Sequence, residues 1–385
     1  MSTLVVSVLS MLGDKLTALS IHGIDRNDIV PACLSVAEHR FSRLKHLSLV
    51  GPTDGFVPNY SPQTKPALQR LARDIPLLES FECNGVPLTQ DTIIHLLKMK
   101  HLQRLSFRLP KLDVWTDSRC IPSTSALTHL KISCDVSAYV GFSRAFPLPH
   151  VTTLELDLNE TVSGLPSVHE LFTCIRQQFS PRNFRRLSVC SWIEEAHEQE
   201  AVFVPQDIRP LLQFSGMECL SLSLGCLHRL DDSIFLDIAK ALPELRVLRI
   251  APSISSRLPS VTALSYLAAY AHNLHDLDIF FRAQVSEDPA QDYGPLANKL
   301  SRSSLRCLRV STSPIESPKP VALFLARIFP RLERLEPEMD VEDHESQYEI
   351  RDNWVEVESY LQMLLTLRKP LDVRIEQLES QLSSS

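Results

Sequence analysis

The residue types that most often carry catalysis or bind metals occur in this sequence without the spacing that their chemistry requires. Two His-Glu dipeptides, at residues 169–170 and 197–198, lack the second histidine of a zinc-protease H-E-x-x-H motif. His272 and His275 stand three residues apart. Because a strand pattern begins at Leu274, we interpret them as loop or surface residues rather than metal ligands. We predict no catalytic residues, no metal site, no cofactor and no enzymatic activity.

Cysteine and glycine usage excludes further classes of site. The nine cysteines are scattered and form no C-x-x-C pair, so neither a zinc ribbon nor a dense disulfide framework is predicted. Five of them fall in or beside strand patterns, where cysteine acts as a small buried hydrophobe: Cys83, Cys134, Cys190, Cys219 and Cys307. The ten glycines never lie within three positions of one another, and no G-x-G-x-x-G, G-x-S-x-G or P-loop motif is present.

Composition and charge fit a folded soluble protein of the cytoplasm or nucleus. Apolar residues make up 44 % of the 385 residues, and the net charge of −7 argues against a dedicated nucleic-acid binder. No run of 18 apolar residues is present, so no membrane span is predicted. The apolar stretch at residues 4–12 has no preceding basic residue, and we interpret it as a buried helix or half-repeat rather than a signal peptide.

A six-residue phrase, apolar-x-x-Leu-x-apolar, recurs along the chain at spacings of 24 to 34 residues. Leucine is common, but eleven clear copies at near-constant spacing are not expected by chance. A degenerate twelfth copy begins at Leu332 and is interrupted by Pro337. The eleven clear copies begin at Leu16, Leu44, Leu78, Leu102, Leu127, Val151, Phe184, Met217, Leu245, Leu274 and Leu305.

Each phrase alternates at its end with the period of a half-buried strand, and the segments between phrases carry helical periodicity. We predict helices at residues 89–98, 231–242, 261–271 and 321–329, with Thr89 and Asp231 as N-caps. A strand that returns through a helix must pair in parallel with the strand before it. We therefore predict an α/β solenoid of about eleven repeats, with parallel strands on the concave face and helices on the convex face.

The chain resembles leucine-rich-repeat proteins of the long α/β type, the ribonuclease-inhibitor-like class, over roughly residues 3–335. The Asn that often closes the L-x-x-L-x-L-x-x-N pattern is nearly absent, and only Asn84 lies close to it. This departure excludes the strict Asn-ladder subclass. The helix and phrase at residues 230–248 look especially like fungal F-box/leucine-rich-repeat proteins.

This second resemblance implies the substrate-recognition part of an SCF-type ubiquitin ligase. In that family an amino-terminal F-box docks on the ligase adaptor, and the repeats hold the substrate. Only fifteen residues precede Leu16 here, and an F-box needs several times that number. We therefore expect either a truncated gene model or a stand-alone relative, and the alternative function is a scaffold or inhibitor with no ligase role.

The C-terminal part is predicted to differ from the repeats. After a solenoid at residues 1–335, an acidic loop is predicted at 336–353, since residues 336–358 contain ten Asp or Glu against one Arg. Such a charge run is either a solvated loop or a docking segment for a basic partner. Apolar residues from Trp354 onwards recur at helical spacing, so a capping helix and tail are predicted at 354–385.

The predicted function is protein binding on the concave face. Outward-facing strand residues form blocks of charge, basic in repeats four and five and acidic in repeat six. Such alternation suits a protein partner better than a nucleic acid or a membrane. The predicted partner-binding residues are Arg104, Arg108, Lys131, Glu155 and Asp157. The alternative is that Arg108, Lys131 and Glu155 only pair with one another across adjacent strands, which would move binding to loop insertions such as 51–64 or 190–206.

Overall fold

The computed structural model describes most of the repeats and divides the chain into two compact units, residues 1–200 and 201–385. The predicted features at residues 4–12 and 51–63 lie outside the described residues. The described residues are 15–22, 43–50, 64–109, 115, 125–158, 168–191, 202–224, 227–228, 230–250, 258–285, 296, 303–311, 313–337 and 345–383.

The first unit contains seven parallel strands in chain order, each hydrogen-bonded to the next. They are β1 (Ala18–His22), β2 (His46–Val50), β3 (Ser80–Pro87), β4 (Arg104–Arg108), β5 (His129–Cys134), β6 (Thr153–Leu158) and β7 (Arg186–Ser191). Four described helices connect them: α1 (Thr64–Asp74), α2 (Gln90–Leu97), α3 (Val136–Ala145) and α4 (Val168–Gln178).

The second unit repeats this architecture with five parallel strands of its own. These strands are β9 (Cys219–Ser223), β11 (Val247–Ile250), β12 (Asp276–Ile279), β13 (Cys307–Arg309) and β14 (Arg334–Glu336). A separate parallel pair is formed by β8 (Val202–Phe203) and β10 (Leu227–His228). The helices are α5 (Pro205–Ile208), α6 (Asp232–Ala241), α7 (Val261–Tyr270), α8 (Pro318–Ile328) and α9 (Glu345–Ser383), with a 3-10 turn at Arg209–Gln213.

The first, fourth and sixth residues of the phrase form the core, as predicted. They are buried in the ten phrases that begin at Leu44 through Leu305, and half-buried in the phrase at Leu16. Helix side chains complete the core from the other side, as where the ring of Phe107 on β4 packs edge-on against Phe142 on α3 at 6.1 Å. Each unit is therefore an α/β leucine-rich-repeat solenoid, and the predicted fold class is confirmed.

The predicted helices and caps are also present. Thr89 accepts a hydrogen bond from the Thr92 amide at 3.3 Å, and Asp231 accepts one from the Ser233 amide at 3.0 Å. These side chains satisfy amide groups that the first turn of a helix leaves without partners. Twelve described strands arise from the repeat phrases, one more than predicted, because the degenerate phrase at Leu332 still forms β14, which ends just before the non-donating Pro337.

Two predicted loops need correction. Residues 202–206 of the predicted 190–206 loop form β8 and the start of α5. The C-terminal helix begins at Glu345 rather than Trp354, so part of the acidic run is helical. Acidic residues suit the first turns of a helix as well as a loop, because they interact favourably with the helix dipole. Further along α9, Trp354 is buried and donates from Nε1 to the Ser313 carbonyl at 2.8 Å.

Candidate functional site

The candidate site lies on the strand side chains of the first unit that point away from the buried leucines. We call these the open face. Because strand residues alternate between the two sides of a sheet, three positions in each strand contribute to it. By strand, its residues are Ala18, Ser20 and His22; His46, Ser48 and Val50; Ser80, Glu82 and Asn84; Arg104, Ser106 and Arg108; His129, Lys131 and Ser133; Thr153, Glu155 and Asp157; and Arg186, Ser188 and Cys190.

All five predicted site residues lie on this face, on the adjacent strands β4, β5 and β6. The parallel register aligns Ser106 with Lys131 and Lys131 with Glu155. In the next row, Ser133 lies between Arg108 and Asp157. The predicted residues therefore form one continuous patch, as their positions in the repeat require.

Lys131 is held by both predicted carboxylates. Its Nζ lies 3.7 Å from Glu155 Oε2 and 3.4 Å from Asp157 Oδ2. Partial burial disfavours the charged ammonium, but the carboxylates of Asp157 and Glu155 outweigh it, and the pKa of Lys131 is raised. The cross-strand pairing that sequence analysis left open is therefore real for Lys131 and Glu155, and it extends to Asp157.

His129 supplies a second partner for Glu155. Its Nε2 lies 3.3 Å from Glu155 Oε1, with the two side chains on neighbouring strands. The hydrogen bond from His129 lowers the pKa of Glu155, and the charge of Lys131 acts in the same direction against the effect of partial burial. His129 was not among the predicted site residues, although its position at the start of β5 places it on the same face.

Arg104 and Arg108 differ from Lys131 in having no carboxylate partner among the described residues. Neither guanidinium makes an ion pair or hydrogen bond within the part of the chain that the structure describes. The Arg104 side chain is exposed and that of Arg108 is half-buried. Arg186 on β7 is exposed and likewise unpaired among the described residues. It shares the first row of the face with Arg104 and was missed because the predicted set ended at repeat six.

The open face of β4 to β7 consequently carries more positive than negative charge. Its cations are Arg104, Arg108, Lys131 and Arg186, and its anions are Glu155 and Asp157. Lys131 is the cation that both anions contact. The surplus of two positive charges therefore belongs to arginines, whose planar guanidinium groups bind carboxylates through two parallel hydrogen bonds.

The neighbouring strands β2 and β3 carry a polar network that is negative. Glu82 accepts hydrogen bonds from Ser48 Oγ at 2.7 Å and from Asn84 Nδ2 at 2.9 Å. Asn84 Oδ1 in turn accepts one from Ser106 Oγ of β4 at 2.9 Å. Asn84, the one residue near the Asn position of the repeat pattern, thus orients a carboxylate on the open face instead of supporting a ladder of asparagines.

The equivalent strand positions of the second unit pair among themselves. Asp276 accepts from Arg249 Nη2 at 3.2 Å and from Arg309 Nη1 at 2.8 Å. Arg309 Nε also lies 2.9 Å from Glu336 Oε2, and Arg334 Nη1 lies 3.3 Å from Glu336 Oε1. Partial burial would raise the pKa of Asp276, but Arg249 and Arg309 outweigh it and lower that pKa.

Within the described ranges, no group of three or more His, Cys, Asp or Glu is placed to hold a metal ion. No helix in those ranges is long and apolar enough to cross a membrane. The six described cysteines are free thiols, and burial raises the pKa of Cys307, opposing formation of the reactive thiolate.

Comparisons with known proteins find distant structural likenesses, among them the two described here. No protein-family model and no curated protein matches the chain. The complex of Rad7 and Elc1 in yeast contains a similar chain, with 17 % sequence identity and a TM-score of 0.44, covering 85 % of this chain and 73 % of that one. The plant peptide hormone receptor RGFR1 bound to RGF2 is similar at 11 % identity and a TM-score of 0.29, covering 85 % and 60 %. The leucine-rich-repeat fold rests on the strand register and buried phrases given above.

Proposed function

We propose that this chain is a protein-binding repeat array and that the open face of β4 to β7 binds an acidic segment of a partner protein. The observation that carries this proposal is the set of arginines on that face, Arg104, Arg108 and Arg186, which lack carboxylate partners among the described residues. An acidic segment supplies the missing partners and gains charge-assisted hydrogen bonds from them.

A protein partner fits this face better than a nucleic acid. A phosphate backbone is bound by continuous positive charge, whereas Glu155 and Asp157 interrupt the arginines and Glu82 lies beside them. Mixed signs on one surface instead select a partner whose charges alternate in a matching order.

We further propose that the predicted site residues have different roles. Lys131 contacts both Glu155 and Asp157, and the three groups together keep a net charge of −1, so they position the patch and limit where a partner's acidic groups can lie. Arg104 and Arg108 are the groups with unused hydrogen-bonding capacity on the adjacent strand. We therefore expect binding energy to come from the arginines, with Lys131 contributing less than its charge alone suggests.

The experiment is a selection of displayed random peptides on the whole chain, followed by affinity measurements with selected peptides. We expect enrichment of Asp and Glu, and a loss of affinity on the order of tenfold or more when Arg104→Glu and Arg108→Glu are combined, because two attractive contacts become repulsive. The matched control combines Lys100→Glu and Arg182→Glu, which make the same change of charge at exposed turn positions. Selected peptides without acidic residues, or equal losses in both double variants, would exclude this function.

The ligase role is the finer part of the proposal. The resemblance of residues 230–248 to fungal F-box/leucine-rich-repeat proteins supports substrate recognition in a ubiquitin ligase, and the free thiols suit the reducing cytoplasm or nucleus. We expect the full-length gene product, purified from its native cells, to carry a ligase adaptor. If a partner bound to the open face of β4 to β7 were recovered without any ligase adaptor, that result would instead support the alternative, a stand-alone scaffold or inhibitor.

A further inference from the structure

A depression of about 290 Å³ opens on strands β1 to β3, beside the arginine patch. Small side chains occupy outward positions in its lining and leave open space above the strands. They include Ala18, Ser20, Ser48 and Ser80. His46 and Glu82 also line it, together with the strand residues Leu19 and Leu47. The volume is at the lower limit for small-molecule sites, so it suits a single side chain better than a cofactor.

Glu82 is the residue that gives this depression its charge. Both of its oxygens are fixed, one by Ser48 Oγ and the other by Asn84 Nδ2. These donors are neutral, and no basic side chain of the described residues forms an ion pair with Glu82. A carboxylate has about four acceptor positions, so two hydrogen bonds leave capacity for a ligand.

Glu155 shows what a neutralised glutamate looks like at the same level of the sheet. The register runs from Glu82 through Ser106 and Lys131 to Glu155, one residue per strand. Glu155 has His129 at 3.3 Å and Lys131 at 3.7 Å. Among the described residues, Glu82 is hydrogen-bonded by a hydroxyl and an amide, and small side chains leave space above them. Its negative charge is therefore still available to a cation.

We propose that the β1–β3 depression binds a lysine or arginine side chain of the same partner whose acidic segment lies on Arg104 and Arg108. This inference rests on the proposed function and adds the identity of a second contact. The cationic group hydrogen-bonds to Glu82, and the hydroxyls of Ser20 and Ser80 lie in the lining as further acceptors. The alkyl stem fills the space above the small side chains.

The two contacts fix a spacing in the partner. The depression is centred on β2, two strands from β4, and adjacent strands lie about 4.8 Å apart, so the contacts are separated by about 10 Å. An extended chain advances about 3.3 Å per residue. A partner segment that crosses the strands therefore carries its basic residue about three positions from its first acidic residue, in either chain direction.

The test uses two synthetic peptides of equal length. Both are extended Gly/Ser-rich sequences with four glutamates. Three residues from the first glutamate, one peptide carries a lysine and the other a glutamine. Affinity for the whole chain is measured by fluorescence anisotropy, with the protein as wild type, Glu82→Gln or the charge-matched control Glu244→Gln at an exposed turn. We expect the lysine peptide to bind wild type and Glu244→Gln on the order of tenfold more tightly than the glutamine peptide. With Glu82→Gln the two peptides should bind equally.

A second variant tests the cavity without changing charge. Ala18→Leu fills the depression from an exposed position on β1 and should remove the preference for lysine while leaving the glutamine peptide unaffected. A lysine preference that persists in both Glu82→Gln and Ala18→Leu, or that is absent from wild type while both peptides bind, overturns this inference and leaves the proposed function intact. Failure of both peptides and of every selected acidic peptide to bind overturns both proposals together.

Discussion

The strand faces of the two units use the same residue types for different ends. In the second unit, three arginines and two of the three acidic residues on the outward positions form one chain of ion pairs running from Arg249 through Asp276, Arg309 and Glu336 to Arg334. On β4 to β7 of the first unit, a lysine forms the cross-strand pairs and the arginines remain unpaired among the described residues. Charge composition alone therefore does not locate a binding face, because an arginine that is already paired has few unused hydrogen-bond donors for a ligand.

The largest expected change in stability tests which residues of β11 point into the core and which point outward. Leu248 and Arg249 are neighbours on β11, one fully buried and one on the outward side. Leu248→Ala should lower the free energy of unfolding by about 2–5 kcal/mol, because it leaves a cavity in a packed core. Arg249→Ala should cost under about 1 kcal/mol, since that side chain is 45 % exposed. Denaturant unfolding measures both, and similar costs would contradict the assigned register.

The second prediction compares a paired arginine with an unpaired one. Arg309 is only 18 % exposed and bridges Asp276 and Glu336. Arg309→Met should lower the free energy of unfolding by about 1–3 kcal/mol, because it removes the shorter of the two arginine contacts that each of these partly buried carboxylates makes. Arg108→Met, the same change on an arginine without a described partner, should alter it by no more than about 0.5 kcal/mol. Equal costs would mean that Arg108 has a partner of comparable strength.

The third prediction is a pH dependence specific to the paired face. The pKa of Asp276 is lowered in the folded protein. As pH falls, the Asp276 carboxylate is therefore protonated at a higher pH in the unfolded chain than in the folded one. The stability from this group is present above the ordinary aspartate pKa of about 3.9 and is lost as pH falls through the folded value. Wild type should therefore lose more stability than Asp276→Asn on acidification below about pH 4. Asp237→Asn, on helix α6, is the control and should follow wild type.

Much of this arrangement was predictable, because the repeat fixes which side of the sheet each residue occupies. The repeated phrase predicted that Arg104, Lys131 and Glu155 lie on one face of the sheet. Thr89 and Asp231 were recognisable as N-caps and predicted where two helices begin. Other elements show no periodic pattern in the sequence. The strands β8 and β10 are two residues long, which is too short for an alternation of polar and apolar residues to be recognised.

The pairing of individual charges lay beyond the sequence for a different reason. Arg108 and Lys131 are both cations on neighbouring strands, and both have carboxylates within one or two strands of them. The register places Lys131 one strand from Glu155 and Asp157 and places Arg108 two strands from them, and the rotamers of the long side chains then decide which contacts form. The sequence-based hypothesis therefore located the patch correctly but could not divide it into paired and unpaired groups.

The Lys131–Asp157 ion pair is longer and more exposed than the Arg309–Asp276 pair. A double-mutant cycle between Lys131 and Asp157 should give a coupling of about 0–1 kcal/mol, because the two side chains are 34 % and 35 % exposed and 3.4 Å apart. The corresponding cycle between Arg309 and Asp276, at 2.8 Å and about half that exposure, should give a larger coupling, since less water screens the pair. Lys131→Met, Asp157→Asn and their combination provide the first cycle, and Arg309→Met, Asp276→Asn and their combination the second. If the Lys131 cycle gave the larger value, the first unit would hold its open face together by ion pairs as strongly as the second, and the distinction between a self-paired face and a face available to a partner would fail.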